Sequence, residues 1–218
     1  MCAQYTLKTS VSELTEKYEI HVPTSLTTIN ERFLPYQIAP VIVRSNAQDL
    51  KLTPMNFSLI PSWSKEPRVK FATHNARIET ITDKPTWQIP FKKQHCLIPM
   101  SGFYESVYTG PLAGNVIQFS AQPDHLLFAA GIFDLWKDQE TQKEIFSFSI
   151  LTTEPSAFIS DHGHDRSPIF LNFKDGIHWI TLKEDEKKMV EYLQTANLKP
   201  ELLVSVDRAL KAGWEKRK

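Results

Sequence analysis

Cysteine is scarce in this 218-residue chain, which holds only Cys2 and Cys96. Two thiols cannot build a disulfide framework, so a reducing, cytoplasmic setting is the expectation. Net charge is missing as well, since 25 Lys and Arg stand against 25 Asp and Glu. A broad nucleic-acid face normally carries a basic excess, so any contact with DNA has to come from a local cluster. No apolar run approaches the roughly 18 residues that a membrane-crossing helix requires. The opening MCAQYTLKTS lacks the apolar core of a secretory signal. Glycine-rich phosphate loops and Cys-x-x-Cys pairs are absent, and no cofactor is called for. No repeat, low-complexity linker or composition break divides the chain, so one domain over residues 1–218 is expected. What the sequence does have is aromatic bulk: 13 Phe, 5 Trp and 6 Tyr within a 41% hydrophobic composition, ample for a core.

Ser10 and Glu13 have the spacing of a helix-capping pair, with Leu14, Tyr18 and Ile20 following, which predicts a short helix. Val41–Val43 reads as extended, 46–50 as a turn and 55–60 as a strand. From Pro61 to Pro90 four prolines predict an irregular segment. Beyond it, 96–98, 102–108, 116–120 and 126–133 carry strand patterns between turn residues. Ile145–Ile150 alternates apolar and polar, the mark of a half-buried strand. Residues 154–160 and 183–195 read as helices, and 202–206 as a last strand. Many short strands without a repeating strand–helix alternation predict an α+β fold, a curled, barrel-like and mostly antiparallel sheet with peripheral helices.

Four places could carry chemistry. Cys2 is one: if Met1 is removed, the chain starts with a 1,2-aminothiol whose amine titrates near ~7.7–8.0 and thiol near ~8.5. Such a pair condenses with an aldehyde, the amine forming a Schiff base that the thiol closes to a thiazolidine; the bland alternative is an accidental second-position cysteine. In 161–166, Asp-His-Gly-His-Asp-Arg, the two histidines read first as a polar loop, second as metal ligands and third as a general acid or base. Glu105 sits in the apolar run Ser101–Glu105; on pattern alone it faces solvent, and the functional reading is a carboxyl that passes protons among apolar neighbours. Finally, Asn75 and Arg77 in Thr73–Arg77 suit a hydroxyl and a phosphate. Lys65, Arg68, Lys70 and Arg77, interleaved with Trp63 and Phe71, fit single-stranded nucleic acid, where bases stack on rings and phosphates pair with cations. Lys92, Lys93 and the run 216–218 read as solvated surface.

Together these segments resemble the SRAP family (SOS response-associated peptidase) from Cys2 to Leu171. The resemblance rests on Met1-Cys2, Tyr36-Gln37-Ile38-Ala39-Pro40, Phe57–Trp63, Asn75-Ala76-Arg77-Ile78-Glu79-Thr80, Ser101–Glu105 and His164–Pro168, in the family's order. It implies covalent capture of abasic sites in single-stranded DNA, with Cys2, Asn75, Glu105 and His164 catalytic. Glu105 would shuttle protons, His164 would assist sugar opening and protonate the departing water, and Asn75 would hold the Cys2 end or the sugar hydroxyl. Arg77, Trp63, Pro40, Arg166 and Lys70 would face the DNA. It also implies a thiol-dependent step that removes the residue ahead of Cys2; separately, no metal, no cofactor and a monomeric protein are expected. The chain departs from the family pattern at Ala3-Gln4 in place of Gly-Arg, at Gln37 for Asn, at Phe57-Ser58 for Trp-Gly and at Ser106 for Trp. The reacting groups persist while binding groups thin out, so covalent chemistry with weaker or altered DNA affinity is expected. Rival readings are a thiol autopeptidase without a DNA role and a non-catalytic binding module of the same fold.

Overall fold

A computed structural model of the protein describes residues 3–23, 28–45 and 49–209. In chain order its strands are β1 (Gln4–Ser10), β2 (Ile20–His21), β3 (Thr28–Phe33), β4 (Ile38–Arg44), β5 (Leu50–Phe57), β6 (Asn75–Arg77), β7 (His95–Met100), β8 (Gly102–Ser106), β9 (Val116–Ser120), β10 (Leu127–Lys137), β11 (Glu144–Thr153), β12 (Ser167–Pro168), β13 (Phe170–Leu171) and β14 (Leu203–Arg208). The helices are α1 (Pro85–Lys93), α2 (Ala157–Asp161), α3 (Phe173–Thr181) and α4 (Glu186–Ala196).

The strands β11, β10, β7, β4 and β5 pair antiparallel in that order. Strand β5 then pairs parallel with β11 through Ser147↔Asn56 and Phe148↔Phe57, which closes a ring. Closure removes the two free edges that an open sheet would leave. A second, antiparallel sheet runs β14-β9-β8-β1-β3. Its burial alternates as a pleat demands: Tyr5, Leu7, Phe103, Ile117 and Phe119 are fully buried, while Thr6 and Lys8 lie on the other face. Tyr5 meets Phe57 of the barrel edge-on at 5.4 Å, and Phe103 meets Phe170 at 5.7 Å. Burial of each of these aromatic side chains contributes roughly 2–3 kcal/mol. The barrel and sheet thus form the α+β architecture expected from the sequence.

Local expectations are met and missed for physical reasons. Ser10 Oγ does accept the Glu13 N–H at 3.1 Å, at the head of a π-helical turn over Glu13–Lys17. The strand expected at 55–60 instead occupies Leu50–Phe57, because Ser58, at φ 147°, turns the chain. Of the turn expected at 46–50, residues 46–48 lie outside the described residues, and Leu50 is already strand. The segment 61–90 is not wholly irregular, since it holds β6 and the start of α1. Pro85 begins α1, where the missing N–H costs nothing, and Pro90 lies within it. Helix α3, amphipathic and capped by Asn172 on the Asp175 N–H, has no counterpart in the sequence reading. From Ser147 to Thr152 strand β11 is covered on both faces rather than one, and Ser147 and Ser149 are fully buried. Ser147 Oγ accepts the Ile60 N–H at 2.7 Å, and the Ser149 hydroxyl donates to the Thr73 carbonyl. The polar half of the alternation therefore anchors the covering segment 58–77 instead of meeting water.

His95 joins three elements, its ring stacked on Trp179 at 3.8 Å and its nitrogens 2.9 Å and 2.6 Å from the carbonyls of Trp179 and Phe91. Burial holds its pKa below the ordinary 6.5, against the raising effect of the two carbonyls. A histidine depressed in the fold takes up its proton more readily when unfolded, so stability is complete above about 6.5 and is lost as pH falls through the folded value. Melting temperature measured from pH 8 to 5 is expected to fall below pH 6.5, and less steeply in a His95→Gln variant. A flat profile in the wild type would overturn this.

Candidate active site

Strand β8 brings Glu105 inward. Its register with β1, Tyr5↔Phe103 and Gln4↔Tyr104, places Phe103 and Glu105 on the buried face with Tyr5. Glu105 is 3% exposed, which corrects the solvent-facing reading of its bare pattern. Strands β1 and β9 flank it, and the loop after α2 covers it. Through that loop His164 Nε2 reaches Glu105 Oε2 at 3.0 Å, with the two side chains 0% and 3% exposed. An ionisable pair this dry is expensive to keep unless it is used or locked by its neighbours.

The loop carrying His164 depends on Gly163. Ser156 Oγ caps α2, and the chain turns at Gly163 with φ +79°. A Cβ there would stand 2.4 Å from the Thr109 carbonyl oxygen and 2.8 Å from Val107 Cγ1. Only glycine combines that φ with so close an approach, and the approach sends His164 inward. Exposed Tyr108 covers the imidazole, its ring 6.1 Å away and inclined 27°. His162 turns elsewhere: its Nδ1 lies 2.7 Å from the Phe158 carbonyl and its ring 4.6 Å from the Phe158 ring. The two histidines therefore do not converge as metal ligands would, and among the described residues no three His, Cys, Asp or Glu side chains cluster for a metal.

Asn75 opens β6, a three-residue strand that pairs parallel with β11 through Ile150↔Asn75, and it is 7% exposed. Arg77, the last residue of the strand, is exposed. His74, preceding Asn75, sits edge-on to Phe57 at 6.0 Å, and Phe57 sits edge-on to Tyr5. This line of rings joins the Asn75 segment to the start of β1. Burial, then the positive charge of the amino terminus, lower the His74 pKa from 6.5. Sequence reading assigned His74 no role; its place beside Asn75 was visible, its burial was not.

The surface candidates separate. Trp63 is 55% exposed and Phe71 is exposed, as are Lys65, Arg68 and Lys70. Arg68 lies over the exposed Tyr36 ring at 4.3 Å. Rings and cations of this stretch thus share the surface. Pro40, opposite Pro54, is half-buried and lines an apolar hollow with Phe33, Ile38 and Leu52. Arg166 departs from the expected DNA-facing place. Its guanidinium is turned inward and forks onto Glu79 through two bonds of 2.9 Å, with a third to Thr152 Oγ1 at 3.3 Å. Burial works against the Glu79 carboxylate, but the fork and the charges of Arg166 and Arg77 hold its pKa below the usual value.

Cys2 lies outside the described residues. The chain reaches β1 at Gln4, paired with Tyr104, the neighbour of Glu105. Cys96, by contrast, is fully buried, and burial pushes its thiol far above the ordinary range, which makes it inert.

The family described as SOS response associated peptidase (SRAP) matches residues 1–210. The chain is 26% identical over 206 residues to the abasic site processing protein YoqW of Bacillus subtilis (strain 168), covering 89% of this chain and 85% of that one. It is 24% identical over 183 residues to the abasic site processing protein HMCES of Xenopus tropicalis, covering 72% of this chain and 54% of the relative. A crystal structure of a Bordetella bronchiseptica protein superposes with a TM-score of 0.78 at 19% identity, over 95% of this chain and all of the other. At that identity the superposition speaks for the fold alone.

Proposed function

This chain belongs to the SRAP family, and from that premise we propose that it processes abasic sites in single-stranded DNA by capturing them covalently through Cys2. The observation that carries the reading is the buried Glu105–His164 pair, 3.0 Å apart, on the strand that pairs with the chain two residues after Cys2. Relatives named as abasic site processing proteins align over most of the chain.

The chemistry follows from the groups assembled. An abasic sugar in its open form presents an aldehyde at C1′. With Met1 removed, the Cys2 amine adds to that carbon and gives a carbinolamine. Loss of water leaves an imine, with His164 supplying the proton to the departing oxygen. The Cys2 thiolate then forms a C–S bond to the imine carbon, and the nitrogen takes up a proton. Aldehyde and aminothiol thus become thiazolidine and water, with no oxidant or reductant. Glu105, in hydrogen-bond contact with His164, relays protons between these steps. Asn75 holds the amine or the sugar hydroxyl. Arg77, Lys70 and Trp63 take the flanking phosphates and bases, and Pro40 packs against the strand.

The test is a denaturing gel of Met1-processed protein with single-stranded DNA carrying one abasic site. A shifted band is expected with abasic DNA alone, and none with intact DNA or with a Cys2→Ala variant. Failure of that band to form, with mass spectrometry confirming a free Cys2 amine, would sink covalent capture.

A further inference from the structure

Position 4 holds Gln where an arginine is expected, yet a guanidinium stands at that place. It belongs to Arg32 of β3. Its Nε and Nη2 donate to Gln4 Oε1, and its Cζ lies 3.6 Å over the Tyr104 ring. Its Nη1 donates to both carboxylate oxygens of Asp207 at 3.0 Å. Arg32 and Asp207 come from opposite edges of the second sheet, β3 and β14, with three strands between them. Laid flat, four strand spacings would separate those edges by roughly 19 Å. The sheet is curled so that the pair meets across it, above Tyr104 and beside the strand that leads back to Cys2.

Two features set Asp207 apart from an ordinary surface partner. It falls at an irregularity of register between Val206↔Ile117 and Arg208↔Val116, so it has no cross-strand partner of its own. It also lies on an edge strand that pairs with β9 alone and is mostly exposed. Tyr104 and Gln4 hold the guanidinium from two sides, whereas Asp207 sits at the register irregularity of its strand.

We propose that Arg32 is a phosphate-binding residue for the single strand captured at Cys2, and that Asp207 is its built-in competitor, occupying the guanidinium until a DNA phosphate displaces it. This rests on the function proposed above. A sugar held at position 2 carries phosphates on both sides, and residue 4 is no more than ~7 Å of chain away. A planar guanidinium takes phosphate in the same forked geometry as carboxylate. In a chain without net charge, one masked cation changes affinity measurably.

The experiment compares wild type, Asp207→Asn, Arg32→Gln and the double variant in equilibrium binding to an intact single-stranded oligonucleotide across a salt series. Asp207→Asn is expected to bind about tenfold tighter at low salt, with a salt slope steeper by about 0.7 for one added phosphate contact. The double variant is expected to lose that gain. An Arg32→Lys/Asp207→Asn variant keeps the charge without the fork and is expected to recover part of it; melting curves confirm that each variant is folded. Unchanged affinity in Asp207→Asn, or a gain that survives loss of Arg32, would overturn the proposal. Adduct formation with abasic DNA is read separately on denaturing gels. If wild type captures abasic DNA and Asp207→Asn shows no gain, the masked site alone fails. If no adduct forms while the Arg32-dependent gain is present, the capture reading fails and the phosphate site stands.

Discussion

A Glu105→Gln variant is expected to form the abasic-site adduct about a hundredfold more slowly than wild type, at the lower end of what general acid–base catalysis contributes. Glutamine keeps the volume of the side chain and an oxygen that can accept the His164 Nε2–H, so the 3.0 Å contact has an isosteric replacement. It cannot take or return a proton. Both the dehydration that forms the imine and the protonation of nitrogen at ring closure then lose their relay. The loss should appear in the rate at saturating DNA, not in the affinity for intact DNA, because a side chain only 3% exposed offers no surface to the strand. Single-turnover adduct formation followed on denaturing gels, beside a melting curve, separates these quantities. Glutamine leaves His164 a hydrogen-bond partner but no countercharge, so any fall in melting temperature reads the cost of breaking the buried pair separately from the loss of rate. Adduct formation within twofold of wild type would show that Glu105 is a packing residue and would move the proton relay elsewhere.

How much of this site could be read from residues alone depended on what each signal measured. Strand patterns over 96–98, 116–120 and 145–150 were legible because period-two alternation and turn residues are local properties, and β7, β9 and β11 lie there. Closure of the barrel was not, since it rests on the parallel pairing of β5 with β11, more than 90 residues apart. Glu105 shows the limit most plainly. A carboxylate at the end of Gly-Phe-Tyr-Glu looks solvent-facing until its register with Tyr5 and the cover from the His164 loop are known. Ser147 and Ser149 failed in the same way, as polar residues in an alternating strand that bury by bonding a covering segment. Asn75 was flagged as loop chemistry, because a three-residue strand between prolines leaves no periodicity to detect. The family resemblance connected Asn75, Glu105 and His164, which are separated in sequence by 30 and 59 residues. It offered no hint that Tyr108 would cover His164, or that Arg32 would stand against Gln4.

Arg166 was placed at the DNA face by resemblance, and the structure gives it a different neighbour, from which the second large effect follows. Glu79 lies four residues after Asn75, and Arg166 lies two after His164. Their fork of two 2.9 Å bonds therefore ties the segment that presents Asn75 to the loop that presents His164. The two ends are unequal: the Arg166 side chain is 9% exposed and that of Glu79 is 39% exposed. Glu79→Ala strands a buried guanidinium with Thr152 as its remaining partner, at a cost of about 2–3 kcal/mol, the range for breaking a buried pair less a discount for the exposed carboxylate. Arg166→Met instead removes the buried charge and leaves Glu79 to rehydrate, so it should cost less. The double variant should be more stable than Glu79→Ala alone, a non-additivity that marks direct coupling. Urea unfolding of the three variants measures it. If Arg166 positions His164 and does not meet phosphate, Arg166→Met slows adduct formation while its affinity for intact single-stranded DNA and the salt slope of that binding stay at wild-type values. A salt slope shallower by about 0.7 would instead return Arg166 to the DNA face.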